Sequence, residues 1–130
     1  MKKENRCYLS GPITGVDRYM ENFDRYEQEI RRSLGWTVIN PAKVNSGLPD
    51  NTSYDEYMEM SITMMNMCDT IFLMPGWQNS KGAKFEREYA IIKGMVIYEI
   101  NSAGVFRLAD IGGRLYGIQR CSRTRREYQR

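Results

Sequence analysis

The chain has 130 residues, 42% hydrophobic and 27% charged, which is ordinary usage for one globular domain and excludes wholesale disorder. No run approaches 18 uninterrupted apolar residues, so no helix of the chain is expected to span a membrane, and the opening MKKENRCYLSG lacks the apolar stretch of a secretory signal. The formal charge of +3 is uneven: residues 120–130 hold five Arg and one Glu, a local +4 that leaves −1 on the other 119 residues. The body of the protein therefore offers no basic surface for nucleic acid, and residues 119–130 read as a basic, flexible tail on a domain of residues 1–118. Histidine is absent, so any chemistry rests on carboxylates, hydroxyls, thiols or amines. Cys7, Cys68 and Cys121 form no CxxC pair and are odd in number, which argues against a zinc site or a disulfide framework and for a reducing, cytoplasmic setting.

Along the chain, Cys7 to Ser10 is a short apolar run that stops at Gly11-Pro12, the pattern of a buried strand. Tyr19, Met20, Phe23, Tyr26, Ile30 and Leu34 then mark one helical stripe, which Gly35 ends. Trp36 to Ile39 is a second strand, halted at Asn40-Pro41, because proline cannot continue a central strand. Residues 42–53 read as a loop. Ser53 and Glu56 form a capping box for a helix from about Tyr54 to Met67, with Tyr54, Met58, Ile62 and Met65 on one face. Five methionines between Met58 and Met67 read as filling for a core or a subunit interface.

Thr70 to Met74 is a third strand, residues 75–81 a turn-rich loop, and Gly82 opens a helix through about Lys93. After Gly94, residues 95–100 form a fourth strand, and Val105, Leu108, Ile111 and Leu115 mark a short helix interrupted by Gly112-Gly113. The β-α-β-α-β-α-β order calls for right-handed crossovers, a parallel sheet and helices on both faces: a doubly wound α/β fold in a single domain.

Ligands of such a sheet gather at the carboxyl ends of its strands. Three segments reach that edge. The first holds Ser10, Gly11, Pro12, Ile13, Thr14 and Gly15, the second Asn40 and Pro41, and the third runs from Pro75 to Glu86 and includes Gly76 and Trp77. Neither GxGxxG nor GxxxxGK[ST] is present, so no motif supports a dinucleotide or P-loop site. Ser80, Gly82 and Ala83 open a helix whose N–H groups and dipole favour an anion such as phosphate. Glu86 lies one turn further on and can face the same pocket. Tyr8 reads as a core aromatic whose hydroxyl alone raises a question. Asp69 precedes its strand, away from the ligand edge, and reads as a turn residue.

Tyr8 to Gly15, Asn40-Pro41 and the stretch from Asp69 through Gly82-Ala83-Lys84-Phe85-Glu86 to Ala90 together resemble the nucleoside 2-deoxyribosyltransferase superfamily. The LMPGWxxSxGAxxE stretch is similar to its small DUF4406 branch, frequent in phages. The resemblance implies a flavodoxin-like fold and cleavage of the N-glycosidic bond of a deoxynucleoside or its 5′-monophosphate, with the base released to water or exchanged for another. It implies Glu86 as nucleophile, Tyr8 as the hydroxyl that orients it, and Asp69 as the residue that handles the proton of the departing base.

Ser80 and Gly82 match the phosphate-binding serine and glycine of the related 5′-monophosphate N-glycosidases, whereas Thr14 stands where those carry an arginine, and Glu88 replaces a common glycine. The chemistry needs no metal or organic cofactor, since a carboxylate stabilises or traps the oxocarbenium-like C1′. The implied partners are a small nucleoside or nucleotide and further copies of the chain in a homodimer or larger assembly. A non-catalytic nucleotide-sensing module of the same fold, or a nucleic-acid-associated protein acting through its arginine tail, are the competing readings.

Overall fold

The computed structural model describes residues 5–111. Five strands, β1 (Arg6–Ser10), β2 (Thr37–Ile39), β3 (Thr70–Leu73), β4 (Val96–Ile100) and β5 (Phe106–Leu108), form one sheet in the order β2-β1-β3-β4-β5. The first four run parallel and β5 is antiparallel to β4. The helices are α1 (Tyr19–Leu34), the single turn α2 (Pro41–Val44), α3 (Tyr54–Met65) and α4 (Lys81–Lys93). The architecture is that of a flavodoxin-like doubly wound sheet, as the alternation of elements predicts.

Strand periodicity separates two cores. Cys7 and Leu9 point to the side of α1, where Phe23, Tyr26 and Ile30 cover them together with Phe72. Tyr8 points the other way, onto a layer containing Met64 and Met65 of α3, Ala90 and Ile91 of α4, and Ile71 and Leu73 of β3. Phe72 centres the first core, stacked on Tyr98 at 5.1 Å and meeting Trp36 and Phe106 edge-on at 6.0 and 5.2 Å. Of the methionine cluster, Met64 and Met65 are core, and Met67 is 44% exposed.

The helix ends follow their chemistry. Gly35 and Gly94 adopt left-handed conformations that only glycine takes cheaply, and their N–H groups close α1 and α4. Ser53 and Glu56 form both halves of a capping box at α3.

Two expectations are corrected. Residues 42–53 are not wholly loop: Asn40 caps the turn α2, its Oδ1 accepting from Ala42 N and Lys43 N, with Pro41 pre-set at the first helical position. The region after Asn101 is a strand rather than a helix as far as it is described. Asn101 Oδ1 accepts from Ala103 N and Val105 N, Gly104 turns the chain at φ 82°, and Phe106 is brought back over Phe72. The Asn101 side chain and the left-handed Gly104 override the apolar spacing there. The remainder of that expected helix, including Leu115, and the basic tail at residues 119–130 lie outside the described residues. No helix among the described residues is long and apolar enough to cross a membrane.

Candidate active site

The chain leaves β1 for β2 on one side and returns to β3 on the other, so a crevice opens at the carboxyl ends of β1 and β3. A cavity of about 230 Å³ occupies it, walled by the loop after β1, by α2 and the turn behind it, by α3 and by the first turns of α4. Glu86 lines this cavity with only 7% of its surface exposed. Ser10 Oγ donates to its Oε1 at 2.6 Å, and Tyr8 Oη donates to its Oε2 at 2.9 Å. Tyr8 and Ser10 alternate with Leu9 on β1, so the pleat itself aims both hydroxyls at α4.

Ser61 of α3 completes the cluster, its Oγ 3.1 Å from Tyr8 Oη and 3.1 Å from the Tyr57 carbonyl. One phenolic proton cannot serve two acceptors. An ionised Glu86 is the stronger acceptor, so the phenolic proton lies toward it rather than toward Ser61. Burial pushes the Glu86 carboxyl above the ordinary carboxylate range, and the hydroxyls of Ser10, Ser61 and Tyr8 pull it back by favouring the charged form. Burial, reinforced by the Glu86 charge, holds the Tyr8 phenol well above its usual 10, so it stays a proton donor throughout the physiological range. Tyr54 at the cavity rim shifts upward too, through burial and then the Glu86 charge.

Asp69 apart, the residues predicted for the site divide into three groups. Tyr8, Gly11, Ile13, Thr14, Pro41, Ser80, Gly82, Ala83 and Glu86 line the cavity. Ser10 does not line it but supports Glu86 from β1. Pro12, Gly15, Asn40, Gly76 and Trp77 are not among the lining residues, and most hold the walls in place. Gly76 turns with φ 88° against Pro12, Trp77 packs on the α3–α4 core, and Asn40 fixes the turn that carries Pro41.

Asp69 stands away from the cavity, as its place before the third strand predicts. It precedes β3, at the amino end of the sheet, where its backbone is stitched to Arg6 and Val96 and its Oδ1 accepts from Thr70 Oγ1. That end of the strand lies about 13 Å from the edge that carries the cavity, at roughly 3.3 Å per residue. The residue that faces Tyr8 from α3 is Ser61.

Sequence reasoning missed Tyr19, Phe23, Tyr57, Ser61 and the turn residues Asn45 and Ser46, all of which line the cavity. Tyr54 and Met58 were placed on a helix face but not in a site. The 54, 57, 58, 61 spacing is a single helical stripe and was the available signal.

At the α4 terminus, Ser80 Oγ accepts from Ala83 N as the cap. The first-turn N–H groups have no acceptor within the helix, as at any helix start, and here they border the cavity. Lys81 Nζ sits 4.8 Å over the Tyr54 ring at its mouth. No cluster of three His, Cys, Asp or Glu that would hold a metal occurs among the described residues.

A family model described as a domain of unknown function, DUF4406, matches residues 5–99. That is well over half of the chain, and the chain belongs to this family. No curated protein matches it.

Proposed function

We propose that this member of the DUF4406 family is an enzyme of the nucleoside 2-deoxyribosyltransferase type, cleaving the N-glycosidic bond of a nucleoside or its 5′-monophosphate through Glu86. The observation that carries the reading is a buried carboxylate on the wall of a ligand-sized cavity, held by Ser10 and Tyr8 hydroxyls at 2.6 and 2.9 Å. Hydroxyl donors keep the group ionised without neutralising it, as a nucleophile at C1′ requires. As the base departs, positive charge grows on the sugar, and a carboxylate shielded from water stabilises it most strongly there. A sugar 5′-phosphate would sit at the start of α4, against the Ser80 hydroxyl, the Gly82 amide and the Lys81 ammonium. The partner is thus a small nucleoside or nucleotide, the expected setting is the cytoplasm, and homo-oligomerisation accompanies the superfamily assignment.

A second reading, a nucleotide-sensing module without turnover, draws on the position of Asp69 at the far edge of the sheet, away from Glu86. Incubating the full-length protein with deoxynucleosides and their 5′-monophosphates, with and without a second free base, separates the two. Release of free base, or exchange when a second base is added, supports the enzyme. Binding without release supports the sensor.

A further inference from the structure

A neutral purine or pyrimidine leaves C1′ as an anion unless an acid protonates it, so a glycosidase for ordinary bases needs a second acid near its nucleophile. Glu86 is the one carboxylate among the described residues that line this cavity. Tyr8 already donates to Glu86, and Glu27 lies behind the wall, bonded to Asn40, Arg31 and Lys43. What the cavity does offer is aromatic surface around an anion. Tyr19, Tyr54 and Tyr57 share its lining with Glu86, the arrangement that binds organic cations.

Building on the glycosidase reading, we infer that the substrate is a nucleoside or nucleotide whose base is a cationic pyridinium, its ring held among the tyrosines that line the cavity. The chemistry then balances without a second acid. The C1′–N bond breaks, its electron pair neutralises the ring nitrogen, and the base leaves as a neutral pyridine while a Glu86 oxygen bonds C1′. Water then adds to C1′ and displaces the carboxylate, releasing one proton to solvent. With a 5′-phosphate the substrate carries both signs of charge, the cation among the aromatics and the anion at Lys81 and the α4 amides.

The test compares nicotinamide mononucleotide with adenosine 5′-monophosphate, which share ribose and phosphate and differ in the charge of the base. Nicotinamide release is expected to exceed adenine release about a hundredfold in kcat/KM, a gap that leaving-group protonation alone supplies. It is expected to vanish in Glu86→Gln and fall in Tyr57→Leu. Independently of turnover, calorimetry is expected to find the 1-methylnicotinamide cation bound about tenfold tighter than neutral nicotinamide. Equal or faster release from adenosine or deoxyadenosine monophosphate overturns the inference and leaves the glycosidase reading standing, as does equal binding of the two nicotinamides. Release from no compound at all overturns both.

Discussion

Glu86 ionises in a place that resists its charge. Burial lifts its carboxyl above the ordinary value of 4.5, and the hydroxyls of Ser10, Ser61 and Tyr8 oppose that rise. A nucleophile must be ionised, so kcat/KM should fall on the acid side with a midpoint above pH 4.5. Tyr8→Phe deletes one of the three donors. Its acid limb should move to still higher pH, and the loss of a hydrogen bond to a charged group should cost about 1.5–3 kcal/mol in folding stability. A pH–rate profile of wild type and Tyr8→Phe checks the direction, and an unshifted limb in the variant would show that the phenol does not act on Glu86. Tyr8 and Glu86 were both legible from sequence. Ser61 was not, because a hydroxyl inside a helix carries no signal until β1 is known to face it.

At the scale of elements, the site hangs on capped helix starts. Ser53 and Ser80 are both N-caps, each accepting from the third residue of its helix, so Ser53→Ala and Ser80→Ala should each lower stability by about 1 kcal/mol. Only Ser80 lines the cavity, so only its loss should raise KM for 5′-monophosphates relative to the free nucleosides. Chemical denaturation together with paired kinetics on the two substrate classes distinguishes them. Equal KM changes in both variants would remove Ser80 from phosphate binding.

The α1–α2 joint behaves differently. Burial alone would raise the Glu27 carboxyl, but hydrogen bonds from Asn40, Arg31 and Lys43 outweigh it and hold the group below 4.5. A depressed carboxyl contributes stability that is present above pH 4.5 and is lost as pH falls through its folded value. Glu27→Gln should therefore be less stable than wild type at neutral pH, by about 1–3 kcal/mol. The gap should narrow as the pH is lowered to 3, which urea midpoints at the two pH values would read. This joint could not have been foreseen, since Glu27 lies on the charged side of the α1 stripe and its partners come from a turn that the sequence presents as loop.

Across the whole molecule, the doubly wound order was legible because α1 and α3 carry apolar stripes and each parallel strand is a bounded apolar run. The antiparallel β5 was not, because three residues of weak alternation mean little until Phe106 meets Phe72. The same contrast governs the site. Residues on β1 and at the start of α4 were found because the sheet's ligand edge is fixed by topology. The wall supplied by Tyr19, Tyr57 and Asn45 comes from elements whose approach only tertiary packing determines. Asp69 marks the opposite case, in which motif likeness points to a role that its position at the far sheet edge does not support.

The central claim is that Glu86 performs the chemistry of this cavity. It is met most directly by following base release from nucleosides and nucleotides with wild type and Glu86→Gln in parallel, after circular dichroism has shown both folded. Release by wild type that falls at least about a thousandfold in the variant is the predicted result, the scale expected when a nucleophile is replaced by an isosteric amide. Undiminished release by a folded Glu86→Gln protein would contradict the account, because no other carboxylate among the described residues lines the cavity to take its place.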